Sequence, residues 1–198
     1  MRYAVGLLIV LLLLPLFSGC TALISVPEKV SEPRTVQLLT HGRHSSILLT
    51  AANQTRLRYA YGDWAWYVDN EQGIASGSRA LFMPSKAAFG RQLIAAAQPG
   101  EQLERAVGVG IGQAYLFQVE AARVDALLAQ LEQQFTATPA TPFYSTARNL
   151  NFVPHSHPYS LSHNSNHQVA DWLRALGLEI SGNQALGYWR VKENVAAK

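Results

Sequence analysis

Six histidines and a late serine are the side chains of this chain whose types and spacing suit hydrolytic chemistry. His44 begins an apolar run, and Ser165 lies between two asparagines at the predicted start of a helix. Covalent hydrolysis needs a nucleophile, a base within hydrogen-bond reach and a group that orients the base. Ser165 as nucleophile, His44 as base and Asp63 as orienting carboxylate would fill these roles, with His41 as the alternative base.

The position of Ser165 at a helix start would favour this chemistry. Either Asn164 or Ser165 is predicted to cap a helix that runs to about Leu176 and ends before Gly177. The helix dipole and the free N–H groups of the first turn stabilise negative charge, as an oxyanion requires. The structural alternative is that serine and asparagine are ordinary helix caps.

The elements that must position these residues are a mixture of strands and helices. Strands are predicted over 35–39, 44–50, 57–67 and 185–191, with a bent strand or two short strands over 106–120. Helices are predicted over 85–97, over 121–135 and after Asn164, whereas 136–162 lacks periodicity and is predicted to be a long loop. This order predicts an α+β fold, an antiparallel sheet packed by helices.

Composition favours a compact globular domain. Hydrophobic residues make up 48% of the chain and charged residues 15%, values that suit a packed core. The formal net charge is only +3, and Lys and Arg form no cluster, so we expect no nucleic-acid partner. The Gly108–Gly112 run lacks both the spacing of a phosphate-binding loop and a helix after it, so we expect no cofactor.

The N-terminus predicts export and lipid attachment. An apolar run begins at Ala4 and ends before Ser18-Gly19-Cys20, and it is shorter than the ~20 residues that span a bilayer. The Leu16–Cys20 segment resembles a bacterial lipobox, whose cysteine is diacylated. Because Cys20 is the only cysteine, its lipidation would leave no thiol for catalysis.

Domain organisation and location follow from this signal. We predict a signal peptide over 1–19, a lipidated tether over 20–34 and a single α+β globular domain over 35–198. Thr21 is not the aspartate that favours inner-membrane retention in known bacterial lipoproteins, so we expect the outer membrane, facing the periplasm. The expected partners are the membrane, through the N-terminal lipid, and a peptide, glycan or protein of the envelope.

Three stretches of the chain carry a resemblance to a known family. They are His41–Ile47, Tyr61–Trp64 and Asn164–Ala170, the last followed by Leu173–Gly177. Together they resemble an uncharacterised bacterial lipoprotein family that is often encoded near urease genes. That family is similar to circularly permuted papain-like hydrolases, the superfamily of lecithin retinol acyltransferase and the NlpC-type cell-wall peptidases.

The resemblance implies a permuted papain-like fold and a specific assignment of roles. His44 matches the catalytic histidine, Asp63 matches a polar partner on the neighbouring strand, and Ser165 matches the catalytic cysteine. A hydroxyl is a weaker nucleophile than a thiolate and depends on a base to remove its proton. We therefore expect a binding module with a papain-like groove that lacks the thiol; the alternative is a serine-variant hydrolase of amide or ester bonds, such as those of peptidoglycan peptides.

Two further groups of residues suggest ligand binding. The aromatic cluster between Tyr59 and Tyr67 would be either sheet core or the wall of a ligand cleft, and Trp64 is the predicted ligand contact there. Asn164 and Asn166, which flank the serine, are predicted to contact the same ligand. A last alternative is zinc held by imidazoles, from the pair His155 and His157 or the pair His163 and His167, but no carboxylate or thiol lies close in sequence, so we predict no metal.

Overall fold

A computed structural model describes residues 21–27, 29–71, 83–98 and 101–192. The strands within these residues are β1 Thr21–Ser25, β2 Pro33–His41, β3 His44–Thr50, β4 Arg56–Asp63, β5 Ser85–Ile94, β6 Gln113–Glu120, β7 Phe143–Ser145, β8 Leu150–Tyr159, β9 Glu179–Gly182 and β10 Tyr188–Val191. The helices are α1 Trp64–Tyr67, α2 Leu103–Val107, α3 Ala121–Ala137 and α4 Ser165–Ala175. The predicted signal peptide and Cys20 lie outside the described residues.

Seven strands form one antiparallel sheet in the order β6-β2-β3-β4-β5-β8-β7. The β2–β3 hairpin places His41 opposite His44, with Gly42 in the left-handed region (φ 68°) between them. A smaller sheet has the order β10-β1-β9, in which β1 pairs parallel with β10. The fold is therefore mixed α+β and mostly antiparallel, as the sequence predicts.

The two faces of the large sheet have different partners. Tyr59 and Tyr61 point to one face, where they join the main core with the apolar sides of α3 and α4. Arg58 and Ala60 occupy the alternate positions of β4, and Ala60 packs in a second cluster with Tyr67 and its neighbours. Strand alternation in β4 therefore separates the core from the side where a cavity forms.

The segment predicted as a helix over 85–97 is the strand β5, so that prediction was wrong. The strand lies between β4 and β8 and is covered on both faces: Phe89 packs in the main core and Ala88 in the second cluster. A strand that is buried on both faces loses the alternation that identifies strands.

Three other local predictions also differ from the structure. The long loop over 136–162 contains β7 and β8, and β8 pairs with β5 along most of its length. The segment 106–120 was predicted as a bent strand or two short strands. Its first residues belong to α2, which ends at Val107, and its only strand is β6. The strand predicted over 57–67 ends at Asp63, whose side chain caps α1.

The first residues of the predicted tether belong to the folded protein. Thr21–Ser25 forms β1, the central strand of the small sheet, and Ala22 and Ile24 are fully buried in the main core. The alternation of small and apolar residues in this strand is too short to distinguish from a linker in the sequence. The folded domain therefore includes residues 21–25, which the predicted boundary at residue 35 had assigned to the tether.

No helix of the described residues is long and apolar enough to cross a membrane.

Candidate active site

The structure brings together two of the predicted catalytic residues, His44 and Ser165. His44 is the first residue of β3, Ser165 is the first residue of α4, and His44 Nδ1 lies 3.2 Å from Ser165 Oγ. In the tautomer with the proton on Nε2, Nδ1 accepts a hydrogen bond from the hydroxyl. This is the geometry of a base in contact with the proton that it must remove.

Ser165 is positioned by the N-terminal cap of α4. Asn164 is the capping residue, as one of the sequence alternatives predicted, and its side-chain oxygen accepts from the backbone N–H of Asn166 and of His167. The N–H of Ser165 has no acceptor among the described residues. A free N–H at the positive end of a helix dipole is the kind of donor that stabilises an oxyanion.

Asn166 holds the helix start against the hairpin that carries His44. Its amide nitrogen donates to the carbonyl oxygens of Arg43 (2.9 Å) and Ala185 (3.2 Å), and its side-chain oxygen accepts from Ser45 Oγ at 2.8 Å. Trp189 Nε1 in turn donates to Ser45 Oγ at 2.9 Å. Because these groups are buried, the network fixes the relative position of β3 and α4.

His44 is held as a neutral imidazole. Burial lowers its pKa to about 4, and the positive charge of Arg148 and the neighbouring His41 add to this effect. The ring packs edge-on against Tyr67, with 5.6 Å between the ring centroids. Neutral imidazole is the form that accepts a proton, but a pKa this low makes His44 a weak base, because its protonated form is disfavoured at neutral pH.

Asp63 does not orient His44. Its carboxylate accepts from the backbone N–H of Trp66 at 2.9 Å and from the hydroxyl of Ser85. Among the described residues, His44 Nε2 has no hydrogen-bond partner. Asp63 therefore caps the start of α1, which is a common structural role of aspartate and not a catalytic one.

Both ring nitrogens of the alternative base, His41, are hydrogen-bonded to groups other than Ser165. Its Nδ1 bonds the carbonyl oxygen of Gly110 at 2.8 Å, and its Nε2 bonds Ser46 Oγ at 2.9 Å. It makes no hydrogen bond with Ser165. The structure therefore pairs the serine with His44, the residue that the sequence favoured.

A cavity of about 510 Å³ opens on the side of the sheet where His44 lies. That volume is in the range of small-molecule sites. The lining residues come from the β2–β3 hairpin, from β4, and from the loops around 109–112 and 147–150. His44 is part of the lining whereas Ser165, which is 1% exposed, is not, so His44 lies between the cavity and the hydroxyl.

Two arginines of this cavity were missed in the sequence. Arg58 and Arg148 both line it, and Arg58 is almost completely buried. A signal was present, because Arg58 is flanked in β4 by Leu57 and Tyr59, and a charged residue within a buried strand is unusual. The Gly108–Gly112 run, dismissed as a phosphate loop, supplies another wall of the cavity through Gly110 and Gly112.

The predicted ligand contacts Trp64, Asn164 and Asn166 have structural partners. Asn164 and Asn166 belong to the buried cap and network described above and do not line the cavity. Trp64 packs on the second cluster, and the Lys86 ammonium lies 3.5 Å from the centroid of its ring. Within the aromatic cluster it is Tyr67 that reaches the cavity wall.

Three of the late histidines, His155, His157 and His163, lie around Tyr61 near the start of α4, whereas His167 bonds Asn164 Oδ1. The His157 and His163 ring centroids are 4.1 Å apart, and His155 and His163 both pack edge-on against Tyr61. Burial lowers the pKa of His155 and of His163. No group of three or more His, Cys, Asp or Glu among the described residues is arranged to hold a metal ion.

Comparison of the chain with protein-family models, with curated proteins and with solved structures finds no match.

Proposed function

We propose that this protein is a lipid-anchored hydrolase of amide or ester bonds in the bacterial cell envelope, with Ser165 as nucleophile and His44 as base. The observation that carries the proposal is the contact between His44 Nδ1 and Ser165 Oγ at the start of a helix. A serine in hydrogen-bond contact with a neutral imidazole supplies the nucleophile and the base that covalent hydrolysis requires.

The reaction follows from the positions of these groups. As Ser165 Oγ attacks the carbonyl carbon of the substrate, its proton passes to His44 Nδ1. The negative oxygen of the tetrahedral intermediate accepts a hydrogen bond from the N–H of Ser165. Protonated His44 then gives the proton to the departing amine or alcohol, and water releases the acyl group from the serine by the same route.

The architecture supports the finer proposal of a permuted papain-like fold. The base lies early in the chain on a strand, and the nucleophile lies late, at the N-terminus of a helix packed on that sheet. This is the order of the permuted family that the sequence resembles, with serine in place of cysteine. A peptidoglycan peptide is the substrate class that this resemblance suggests.

A second candidate, a binding protein without catalysis, is favoured by the burial of the nucleophile. Ser165 is 1% exposed and does not line the cavity, and no carboxylate among the residues that the structure describes orients His44. In this alternative the contact between His44 and Ser165 only stabilises the fold. The cavity beside His44 then binds a peptide, glycan or protein segment of the envelope.

Fluorophosphonate labelling of the full chain in mild detergent tests the hydrolase proposal. We expect one adduct on Ser165, located by mass spectrometry of peptides, which is absent in Ser165→Ala and reduced at least tenfold in His44→Gln. Ser162→Ala is the matched control, because Ser162 is an exposed serine three positions earlier, and its labelling should equal that of the unsubstituted protein. A folded protein without an adduct on Ser165 would favour the binding protein.

Substitution of Cys20 tests the proposed attachment to the membrane. The lipobox-like segment supports acylation of this residue, and buried acyl chains of this kind hold a protein at a membrane. Metabolic labelling with a fatty acid should place the label on Cys20 and be lost in Cys20→Ala, and fractionation should place the labelled protein in the outer membrane.

A further inference from the structure

The strongest unexplained feature of the molecule is the buried charge of Arg58. The residue is 1% exposed, and its Nη2 donates to the carbonyl oxygens of Arg148 and Asn149. Its Nε and Nη1 are buried without a hydrogen-bond partner among the described residues. Burial lowers the pKa of Arg58 to about 10, so the guanidinium remains charged at neutral pH. A buried charge of this kind normally has an ionic partner.

Arg56, two positions earlier on the same strand, shows how this protein neutralises a buried arginine. Arg56 is 7% exposed, its Nη2 lies 2.6 Å from Glu101 Oε2, and its Nε donates to the carbonyl oxygen of Ala95. Side chains two positions apart in a strand point to the same face. The two arginines therefore occupy comparable positions, and the one that lines the cavity lacks the carboxylate.

A second cation of the cavity also lacks an anion. Arg148 lies over the ring of Tyr67, with 5.3 Å between its Cζ atom and the ring centroid, and it forms no ion pair with a described residue. The acidic residue of the lining, Glu104, accepts from the backbone N–H of Ile111 at 3.3 Å. The cavity therefore has an excess of positive charge beside the base His44.

We propose that this cavity binds the oxyanion of a small ligand, a carboxylate or a phosphate, through Arg58 and Arg148. Guanidinium groups recognise both oxyanions by charge-assisted hydrogen bonds. The volume of about 510 Å³ admits a ligand the size of a short peptide end or a sugar phosphate. The site goes beyond the proposed hydrolase, because it requires no reaction at Ser165 and would serve the binding protein equally.

If the hydrolase proposal is also correct, the site selects its substrates. An anionic group held by Arg58 would lie on the same cavity wall as His44, so the bond to be cleaved would be close to a carboxylate or phosphate. Neutral amides and esters of the same length would then be poor substrates, because they would leave the buried guanidinium unpaired.

The test uses the full chain in detergent at constant ionic strength and ligands that differ in charge alone. N-acetyl-alanine carries the carboxylate, N-acetyl-alaninamide is its neutral counterpart, and inorganic phosphate provides the second oxyanion. We expect a saturable rise of the unfolding temperature with at least one anion and none with the amide. Arg58→Met and Arg148→Met should each weaken this binding at least tenfold, whereas Arg56→Met, the matched control, should retain it.

An NMR titration keeps the test decisive if Arg58→Met does not fold. In protein labelled with ¹⁵N-arginine, the Nε–H resonance of Arg58, identified by its absence from the spectrum of Arg58→Lys, should shift with the bound anion and saturate. No shift, or an equal shift with the amide, would overturn the proposal. Unchanged anion binding by Ser165→Ala would separate this site from the hydrolase, since that variant removes the nucleophile alone.

Discussion

His44 Nδ1 lies 3.2 Å from Ser165 Oγ, although the two residues are 121 positions apart in the chain. The position of each residue is set by the element that carries it. The β2–β3 hairpin carries His44 and the first turn of α4 carries Ser165, and the buried carboxamide of Asn166 joins the two elements. The geometry of the candidate dyad therefore depends on a residue that does not contact the reacting atoms.

Asn166→Ala should destabilise the protein and loosen the dyad. The substitution removes the acceptor of the buried Ser45 hydroxyl and the donor to the carbonyl oxygen of Arg43, and an unsatisfied buried group costs about 1–3 kcal/mol. We expect a fall of roughly 2–4 kcal/mol in the free energy of unfolding, measured with urea, and slower fluorophosphonate labelling in the folded variant. Asn53→Ala, at an exposed turn, is the control, and equal stability of the two variants would contradict the role of Asn166.

The low pKa of His44 predicts that stability falls in mild acid. The unfolded chain binds a proton at His44 near pH 6.5, whereas the folded protein does so only near pH 4. The unfolded state thus binds more protons between these values, so stability is complete above pH 6.5 and decreases as the pH falls toward 4. Between pH 7.5 and 5 this amounts to about 2 kcal/mol.

Urea unfolding of the unsubstituted protein and of His44→Gln at both pH values measures this contribution. The loss on going to pH 5 should be about 2 kcal/mol smaller in the variant. Part of the pH dependence should remain, because burial also lowers the pKa of His41, His155, His163 and His167. Identical pH dependence in the two proteins would show that His44 is protonated alike in the folded and unfolded states.

Ile24 tests whether the segment after Cys20 is a strand or a tether. Ile24 is fully buried in the main core, whereas its neighbour Leu23 is 40% exposed. Ile24→Ala should lower the free energy of unfolding by ~2–4 kcal/mol, and Leu23→Ala, which removes a comparable side chain, should change it by less than ~1 kcal/mol. Two equally small effects in urea unfolding would restore the tether interpretation.

Gly62→Ala tests how closely Tyr67 packs on β4. A methyl group at Gly62 would lie 2.1 Å from the ring of Tyr67, so the ring, which also packs against His44, must move. We expect a loss of about 1–3 kcal/mol in unfolding free energy and altered fluorophosphonate labelling of Ser165. At Gly42 the added methyl group has free space, so Gly42→Ala should show only the cost of its positive φ, about 1 kcal/mol.

Local patterns in the sequence predicted several elements and singled out both residues of the candidate dyad, His44 and Ser165. The apolar period of 121–135 predicted α3, the bounds of β3 agree with the predicted strand, and Asn164 was one of the two predicted caps of α4. Such features depend on neighbouring residues and are visible in a short window. The choice of His44 as base followed from its position at the start of β3 and from the family resemblance.

Only the tertiary structure decided the features that depend on residues distant in sequence. β5 is a strand because β4 and β8 cover it on both sides, and Thr21–Ser25 belongs to the core because β9 and β10 pair with it. Asp63 caps α1 instead of orienting His44, and Arg58 is buried without an anion beside the cavity. Pairing, burial and charge neutralisation are properties of the assembled sheet, so no local window of the sequence contains them.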